Sequence, residues 1–365
     1  MSGGRIAYLC LETPRKGQAS HTHVHEIIDG LTAAGWQVEL IATSAGGSAS
    51  GSRYWRRAVG YIGAQIRLIG QAGRYQAVYM RAHFAALPAS IWLRLIGKPV
   101  VQEINGRPDD VFVTYPWLRW LGAAIKASYR WQMRMASHVI AVTEGLRRWA
   151  EAECGHARVS LVPNGANTDL FTPRTGMRDM SGRYAVFVGG LVAWHGLASM
   201  IAAIDRPEWP EGVALVIVGD GVERDRVRSV EGHPRLRWLG RVPYEEVPDL
   251  LRHAIAALCV IENPDGRSAT GVAPLKLFEA MASGIPVIVS DLPFQSEVIR
   301  QQDAGLVVPV ADPAALAQAV ATLAAAPERA AAMGARGAEY VRNHASWRIR
   351  ADETARIIES AVRHD

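Results

Sequence analysis

Apolar and polar positions along the chain follow two alternating rhythms. Short, continuous apolar runs suit strands buried on both faces, and between them apolar residues recur at helical spacing. Ile6-Ala7-Tyr8-Leu9-Cys10 reads as the first strand; Val24, Ile27, Ile28 and Leu31 mark a helix that Gly35 ends; Val38 to Ala42 is the next strand. Further strands are predicted at 77–80, 99–104, 138–142 and 159–162, with helices between them. The turn-rich stretch from Pro163 to Arg183 interrupts the rhythm and reads as a domain boundary. The pattern then restarts, with strands at 184–188, 213–218, 235–239, 255–260, 286–289 and 306–308. Its helices fall near 196–204, 245–252, 274–283, 313–325 and 327–342. This alternation predicts an α/β fold class: two doubly wound, Rossmann-like domains facing each other across a crevice. The expected boundaries are 1–168 and 175–342, with an amphipathic helix at 345–365 packing back on the first domain. The alanine clusters at 311–337 are expected to form surface helices, and no repeat of solenoid period is present.

Length agrees with this division, since 365 residues suit two domains of about 150–200 each. Apolar residues are 49% and charged residues 21%, the balance of a globular chain rather than a disordered one. No apolar run approaches the 18 or more residues of a spanning helix, and the start, Met1-Ser2-Gly3-Gly4-Arg5, lacks a signal peptide's apolar core. Cys10, Cys154 and Cys259 stand far apart, which argues against a disulfide framework or a structural zinc and for a reducing cytoplasm. Charge is uneven: residues 1–175 hold 20 Lys and Arg against 11 Asp and Glu, and 176–365 hold 20 against 24. Seven of the eleven Trp lie in the basic half, in stretches such as Arg53-Tyr-Trp-Arg-Arg57, Trp117-Leu-Arg-Trp120 and Arg130-Trp-Gln-Met-Arg134. Trp and Arg together suit an anionic membrane surface. For any single stretch, solvated helix faces with Trp in the core are the alternative; the clustering within one half favours the membrane, and no nucleic-acid motif accompanies the charge.

The most informative stretch runs from Thr270-Gly-Val-Ala-Pro-Leu-Lys to Ser290-Asp291. Pro274 fits a first helical turn, Gly284 closes the helix and Pro286 opens the next strand. The free amides of a helix start form an anion site, and Lys276 and Glu279, three apart, share a face near it. A lysine can bind phosphate and a carboxylate can hold ribose hydroxyls; an ordinary surface ion pair is the alternative. His21, His23 and His25 invite a metal reading, but no matching Cys or acidic set is nearby, so a loop and helix start facing the crevice is the preferred one. No Asp-x-Asp pair occurs, so no metal or other cofactor is expected.

Residues 270–291 resemble the nucleotide-binding signature of the GT-B glycosyltransferases, in particular the large retaining family called family 4. Other resemblances follow in order: Pro14-Arg-Lys-Gly17 with His23-Val-His-Glu26, Ser137-His-Val-Ile-Ala-Val-Thr143, and Val162-Pro-Asn-Gly through Thr172-Pro173. Phe187-Val-Gly-Gly-Leu191 with Trp194-His-Gly196, Val218-Gly-Asp-Gly221 and Leu239-Gly-Arg-Val242 complete the set. The resemblance implies that Glu279 binds the donor ribose, and that Lys276, with the amides near Pro274 and Leu275, faces the sugar and diphosphate. Gly17 would let the first loop approach the diphosphate, and Val242 would contact the base through its backbone. Gly189, Gly190, His195, Gly219, Asp220 and Gly271 complete the donor side; Asn105 joins Lys276 as a catalytic candidate, and His23 and Arg107 fall on the acceptor side.

Three positions depart from the family pattern. The first of two glutamates eight apart is Gly271, a basic strand-end residue is Gly190, and a histidine after the fourth strand is Asn105. Lys276 and His195, with Arg15, Lys16 or Arg107, would have to supply the cationic clamp. The resemblance implies a retaining glycosyltransferase that moves a sugar from a UDP- or GDP-sugar to a glycan acceptor, lipid-linked, in bacterial cell-surface polysaccharide synthesis. It would be cytoplasmic, peripheral on the inner face of the plasma membrane. An NDP-sugar epimerase of the same architecture, or a non-catalytic glycosyltransferase-like partner protein, are the competing readings.

Overall fold

The computed structural model describes residues 4–12, 17–43, 53–173, 183–262 and 268–364. They form two compact units, Met1–Pro163 with Arg348–Asp365, and Asn164–Trp347.

In the first unit six strands make one parallel sheet: β1 (Arg5–Cys10), β2 (Gln37–Ala42), β3 (Ala77–Arg81), β4 (Val100–Ile104), β5 (His138–Ala141) and β6 (Val159–Leu161). The order is β2-β1-β3-β4-β5-β6. Connecting helices are α1 (Ala19–Ala33), α2 (Arg53–Gln71), α3 (Leu87–Leu95), α4 (Val111–Thr114), α5 (Gly122–Met135) and α6 (Glu144–Cys154). Local chemistry sets several ends. Thr143 caps α6 by accepting from the Leu146 amide at 3.2 Å, and Gly155 stops it in the left-handed region at φ 73°.

The second unit repeats the plan with β7 (Arg183–Val188), β8 (Val213–Val218), β9 (Leu236–Gly240), β10 (Ala256–Cys259), β11 (Val287–Ser290) and β12 (Gly305–Val308), in the order β12-β11-β10-β7-β8-β9. Its helices are α7 (Leu197–Ile204), α8 (Arg224–Arg228), α9 (Val247–Arg252), α10 (Leu275–Ala282), α11 (Gln295–Gln302), α12 (Pro313–Ala325) and α13 (Pro327–His344). All six residues of β8 are buried, as a strand covered on both faces requires. The last helix, α14 (Trp347–His364), passes into the first unit from Arg348 onward.

In both sheets the strand order reverses beside the first strand, between β1 and β3 and between β7 and β10. Open α/β sheets bind ligands at the carboxyl ends of strands at such a switch point. Gly189 follows β7 and Cys259 ends β10, so the glycine-rich end of β7 lies at the second unit's switch point.

The alanine-rich helices lie at the surface, as the composition suggested, but each also sends one face of its alanines into the core. Ala317, Ala319, Ala324, Ala330 and Ala338 are buried with Leu316, Val320, Leu323 and Met333. Small side chains let α13 approach its neighbours closely: a Cβ on Gly334 would lie 2.0 Å from the Gly284 carbonyl oxygen.

Candidate functional site

In the second unit, α10 follows the segment that ends in Pro274, and Asn164 Nδ2 donates to the Ala273 carbonyl at 2.6 Å to hold that segment. Pro274 stands just outside the helix as its N-cap, in extended backbone, rather than inside the first turn. The amides that follow are those a helix start leaves without intrahelical acceptors. Glu279 is buried, and although the Lys276 side chain as a whole is half-buried its ammonium nitrogen is shut off from solvent, which removes the surface ion-pair alternative. Lys276 Nζ sits 4.2 Å from the Phe187 ring centroid and finds no hydrogen-bond partner among the described residues. It also lies 3.6 Å from where a Cβ on Gly189 would be. Burial lowers its pKa to about 8, against the pull of Cys259 and Glu279 toward the charged form. An ammonium held in a buried place without an acceptor is poised for an anion from outside the protein. Burial likewise pushes the Cys259 thiol up to about 11.

Glu279 is placed by aromatic packing that the sequence did not reveal. Tyr244 Oη donates to Glu279 Oε1 at 2.8 Å, and Phe171 meets the Tyr244 ring edge-on at 5.5 Å. Val242, two residues before Tyr244, is half-buried against the same core. The glycines divide into two groups. A Cβ on Gly219 would stand 1.9 Å from the Gly189 carbonyl oxygen, and one on Gly221 would stand 2.3 Å from that of Leu191. These two strand ends therefore pack backbone against backbone, and Gly219 is required by packing. Gly190 has open space around it, and His195 Nδ1 meets its carbonyl oxygen at 2.6 Å. Gly271 adopts φ 89°, a conformation that disfavours the glutamate expected from the family pattern. Asp220 organises its own loop: Oδ1 accepts from the Gly221 amide at 2.8 Å, and Arg241 lies 3.5 Å from Oδ2.

The first unit contains a buried polar cluster that sequence reasoning largely missed. Its centre is Glu103 on β4, only 2% exposed. His23 Nε2 on α1 donates to it at 2.8 Å, Arg81 Nη1 on β3 at 3.2 Å, and Tyr79 Oη and Asn105 Nδ2 complete the shell. Arg81 Nε continues the network to Glu12 at 3.3 Å. Burial pushes Glu103 upward, but His23, Arg81 and the Asn105 hydrogen bond prevail and hold its carboxyl well below the usual range. Asn105 and His23 are thus brought together through a carboxylate. A charged residue beside a second polar one inside the buried strand Val100-Val-Gln-Glu-Ile104 was the available signal. Arg107 points elsewhere, with its guanidinium 5.9 Å from the Trp149 ring centroid and 3.6 Å from Asp109.

The three histidines lie within α1, not in a loop. Helical spacing puts His21 and His25 on one side, where their rings stack at 3.9 Å, and turns His23 inward to Glu103. Among the described residues no group of three or more His, Cys, Asp or Glu is arranged to hold a metal. Gly17 has φ 84° with open space beyond it, so its glycine is needed for the backbone turn. Arg15 and Lys16 lie outside the described residues.

Two doubly wound units with glycine-rich strand ends define the GT-B class. Solved structures bear this out: the Thermosynechococcus elongatus sucrose-phosphate synthase has a TM-score of 0.79 at 18% identity, covering 99% of this chain and 100% of that one. The Anabaena protein HepE, bound to UDP and glucose, has a TM-score of 0.72 at 17% identity, covering 98% and 100%. Residues 20–170 match the Glycosyltransferase Family 4 description, and residues 182–326 match Glycosyl transferases group 1. The chain belongs to the family 4, group 1 glycosyltransferases. It is 33% identical over 229 residues to a phosphatidyl-myo-inositol mannosyltransferase of Mycobacterium leprae, covering 61% of this chain and 59% of that protein. It is 30% identical over 217 residues to a GDP-mannose-dependent alpha-(1-6)-phosphatidylinositol monomannoside mannosyltransferase of Mycobacterium tuberculosis, covering 55% of each. The matches thus span little more than half the length of these relatives.

Proposed function

We propose that the protein is a retaining glycosyltransferase that moves a hexosyl group from a UDP- or GDP-sugar to a hydroxyl of a lipid-linked glycan acceptor. The setting is cell-surface polysaccharide synthesis, with the protein peripheral on the cytoplasmic face of an anionic membrane. The observation that carries the reading is the buried ammonium of Lys276, which has no hydrogen-bond partner among the described residues, beside the helix start that follows Pro274. On this reading the second unit holds the donor: Glu279 takes the ribose hydroxyls, while Lys276 and the first-turn amides of α10 take the diphosphate. The first unit holds the acceptor, near Asn105 at the end of β4 and His23 on α1. The mannosyltransferase relatives make GDP-mannose the first donor to test.

Retention follows from a same-face displacement. The acceptor oxygen bonds to the anomeric carbon as the bond to the diphosphate breaks, and the departing phosphate oxygen takes the hydroxyl proton. Glu279, the carboxylate that acts on Lys276, is buried and bonded to Tyr244, which does not suit it to a covalent intermediate. Catalysis on this route is positioning plus stabilisation of the leaving diphosphate. No metal is needed for it.

The test is a thermal-shift screen with GDP, UDP and their sugars, followed by transfer assays that read the product anomer. A native-state ligand at about 100 times its Kd should stabilise by roughly 2.7 kcal/mol. Stabilisation by one nucleoside diphosphate series and a product of retained configuration are expected. An inverted product overturns the mechanism, and epimer formation from donor alone overturns the transfer reading.

A further inference from the structure

α2 carries two apolar faces where a water-facing helix carries one. Its inner face packs Tyr61, Ala64 and Leu68 into the core of the first unit. Its outer face holds Trp55, Val59, Ile62 and Ile66, which are 74%, 50%, 55% and 64% exposed. At about 100° per residue these four fall within an arc of about 60°, so they form one stripe along the helix. The solvent side of a helix on a globular domain is ordinarily polar. Here Arg56 and Arg67 border the stripe along one side, and the helix contains no Asp or Glu.

The stripe does not stand alone. Arg57 Nη1 donates to Tyr115 Oη, which fixes the start of α2 against the turn at Pro116–Leu121. That turn exposes Trp117 and Trp120, with Arg119 beside them. α3 is neighbour to α2 and exposes Trp92 and Leu95. Of the fourteen exposed large apolar residues among those described, twelve lie in the first unit and only Val222 and Leu239 in the second. Residues 53–134 contain thirteen Lys and Arg against three Asp and Glu, and α2, α3, the 116–121 turn and α5 contain no carboxylate side chain.

We infer that the outer face of α2, together with the exposed Trp117 and Trp120 of the first unit, docks on an anionic lipid bilayer, with the apolar stripe entering the headgroup boundary and the arginines meeting lipid phosphates. The charge chooses between occupants. A second copy of this face would set one surplus of basic residues against another, whereas an anionic bilayer supplies the opposite sign and an apolar layer together. Interfacial helices of this kind lie in the membrane plane, in keeping with the finding that no described helix is long and apolar enough to cross. The purpose of the docking rests on the proposed lipid-linked acceptor; the docking chemistry stands on exposure and charge.

The experiment uses the full chain, without nucleotide sugar, and vesicles of phosphatidylglycerol or of phosphatidylcholine alone. Co-sedimentation with the anionic vesicles, little with the neutral ones, and weakening in high salt are expected. Ile62→Glu/Ile66→Glu should reduce anionic partitioning by at least about 100-fold, because it replaces buried apolar area with charge in the interface. Trp117→Ser/Trp120→Ser should reduce it by about tenfold or more, and it serves if the first variant fails to fold by circular dichroism. Equal partitioning of wild type and both folded variants overturns the inference, as does equal binding to both vesicle types. A wild-type dimer in light scattering that Ile62→Glu/Ile66→Glu splits, with no vesicle binding, overturns it in favour of a second copy. Transfer to a water-soluble acceptor should be unchanged in both variants, so loss of docking and failure of the transferase reading are told apart.

Discussion

Raising the pH should slow the wild-type protein while leaving a Lys276→Arg variant untouched. Burial moves Lys276 from 10.5 to about 8, and at about 1.4 kcal/mol per pH unit this is a bias of roughly 3 kcal/mol toward the neutral amine. Nearby Glu279 and Cys259 favour the ammonium and are outweighed. In donor-free protein the charged fraction therefore falls as pH rises through about 8. A diphosphate needs the charged form, so kcat/KM for donor, which reports the free protein, should hold below about pH 7.5 and then fall about tenfold per pH unit well above 8. The kcat limb should lie at higher pH, because bound diphosphate stabilises the ammonium. Arginine stays ionised throughout, so Lys276→Arg should lose the alkaline limb while keeping part of the rate. Lys276→Ala should lose the limb and about 10²–10³ in kcat. A base whose pKa is lowered on folding weakens the fold at low pH, so wild type should gain stability relative to Lys276→Met between about pH 8 and 10.5. Initial transfer rates from about pH 6.5 to 9.5 at fixed ionic strength measure the effect. An alkaline limb that persists in Lys276→Arg, or wild-type rates in Lys276→Ala, would refute the reasoning.

Glu279→Gln should weaken binding of both the nucleoside diphosphate and its sugar by about ten- to a hundredfold, read by calorimetry, since a hydrogen bond to a charged group is worth roughly 1.5–3 kcal/mol; equal affinity would take the ribose off this residue. Glu103→Gln should cost about 3–5 kcal/mol in denaturant unfolding, because it leaves the buried Arg81 without its counter-charge and weakens the acceptor that His23 meets. Since the Glu103 pKa is lowered, that contribution is present above the ordinary carboxylate value and is lost as pH falls below it, so wild type and variant should converge in acid. Transfer should survive EDTA; loss that magnesium or manganese restores would show that protein groups do not carry the leaving-group charge alone.

The rhythm of apolar runs made the strands legible, because a strand buried on both faces has little choice but continuous Val, Ile, Leu and Ala. β8, Val213–Val218, is the plainest case. The helix bearing Lys276 was legible for a different reason, the stop chemistry of Gly284 and the proline on either side of it. Tertiary partners left weaker traces. Tyr244 reaches Glu279 across 35 residues and Glu103 gathers His23 across 80, and neither separation has a period that a single sequence displays. The alanines of α12 and α13 told only that helices form, because high helix propensity says nothing about which side is buried. Only their close approach to the core, as at Gly334 against Gly284, separates tight packing from surface filler.

The departures from the family pattern have unequal physical weight. Gly271 sits at φ 89°, so its backbone has settled on a shape that a glutamate would strain. Asn105 is already spent on Glu103, where a neutral donor serves a carboxylate that His23 and Arg81 also serve. Gly190 differs from both. The space around it is open, so nothing in the fold prevents a basic side chain there, and the chain simply does without one. On the proposed reading the diphosphate is then met by one buried amine where the family more often supplies a second cation at the strand end. A protein with a guanidinium at that position would keep one full charge at every pH in the ordinary range. Here the charge rests on a lysine whose pKa burial has brought to about 8, close to the pH at which the chemistry must run. On the proposed reading the missing residue at 190 and the lowered pKa at 276 act together: without a second cation at the strand end, the lysine makes leaving-group stabilisation depend on pH.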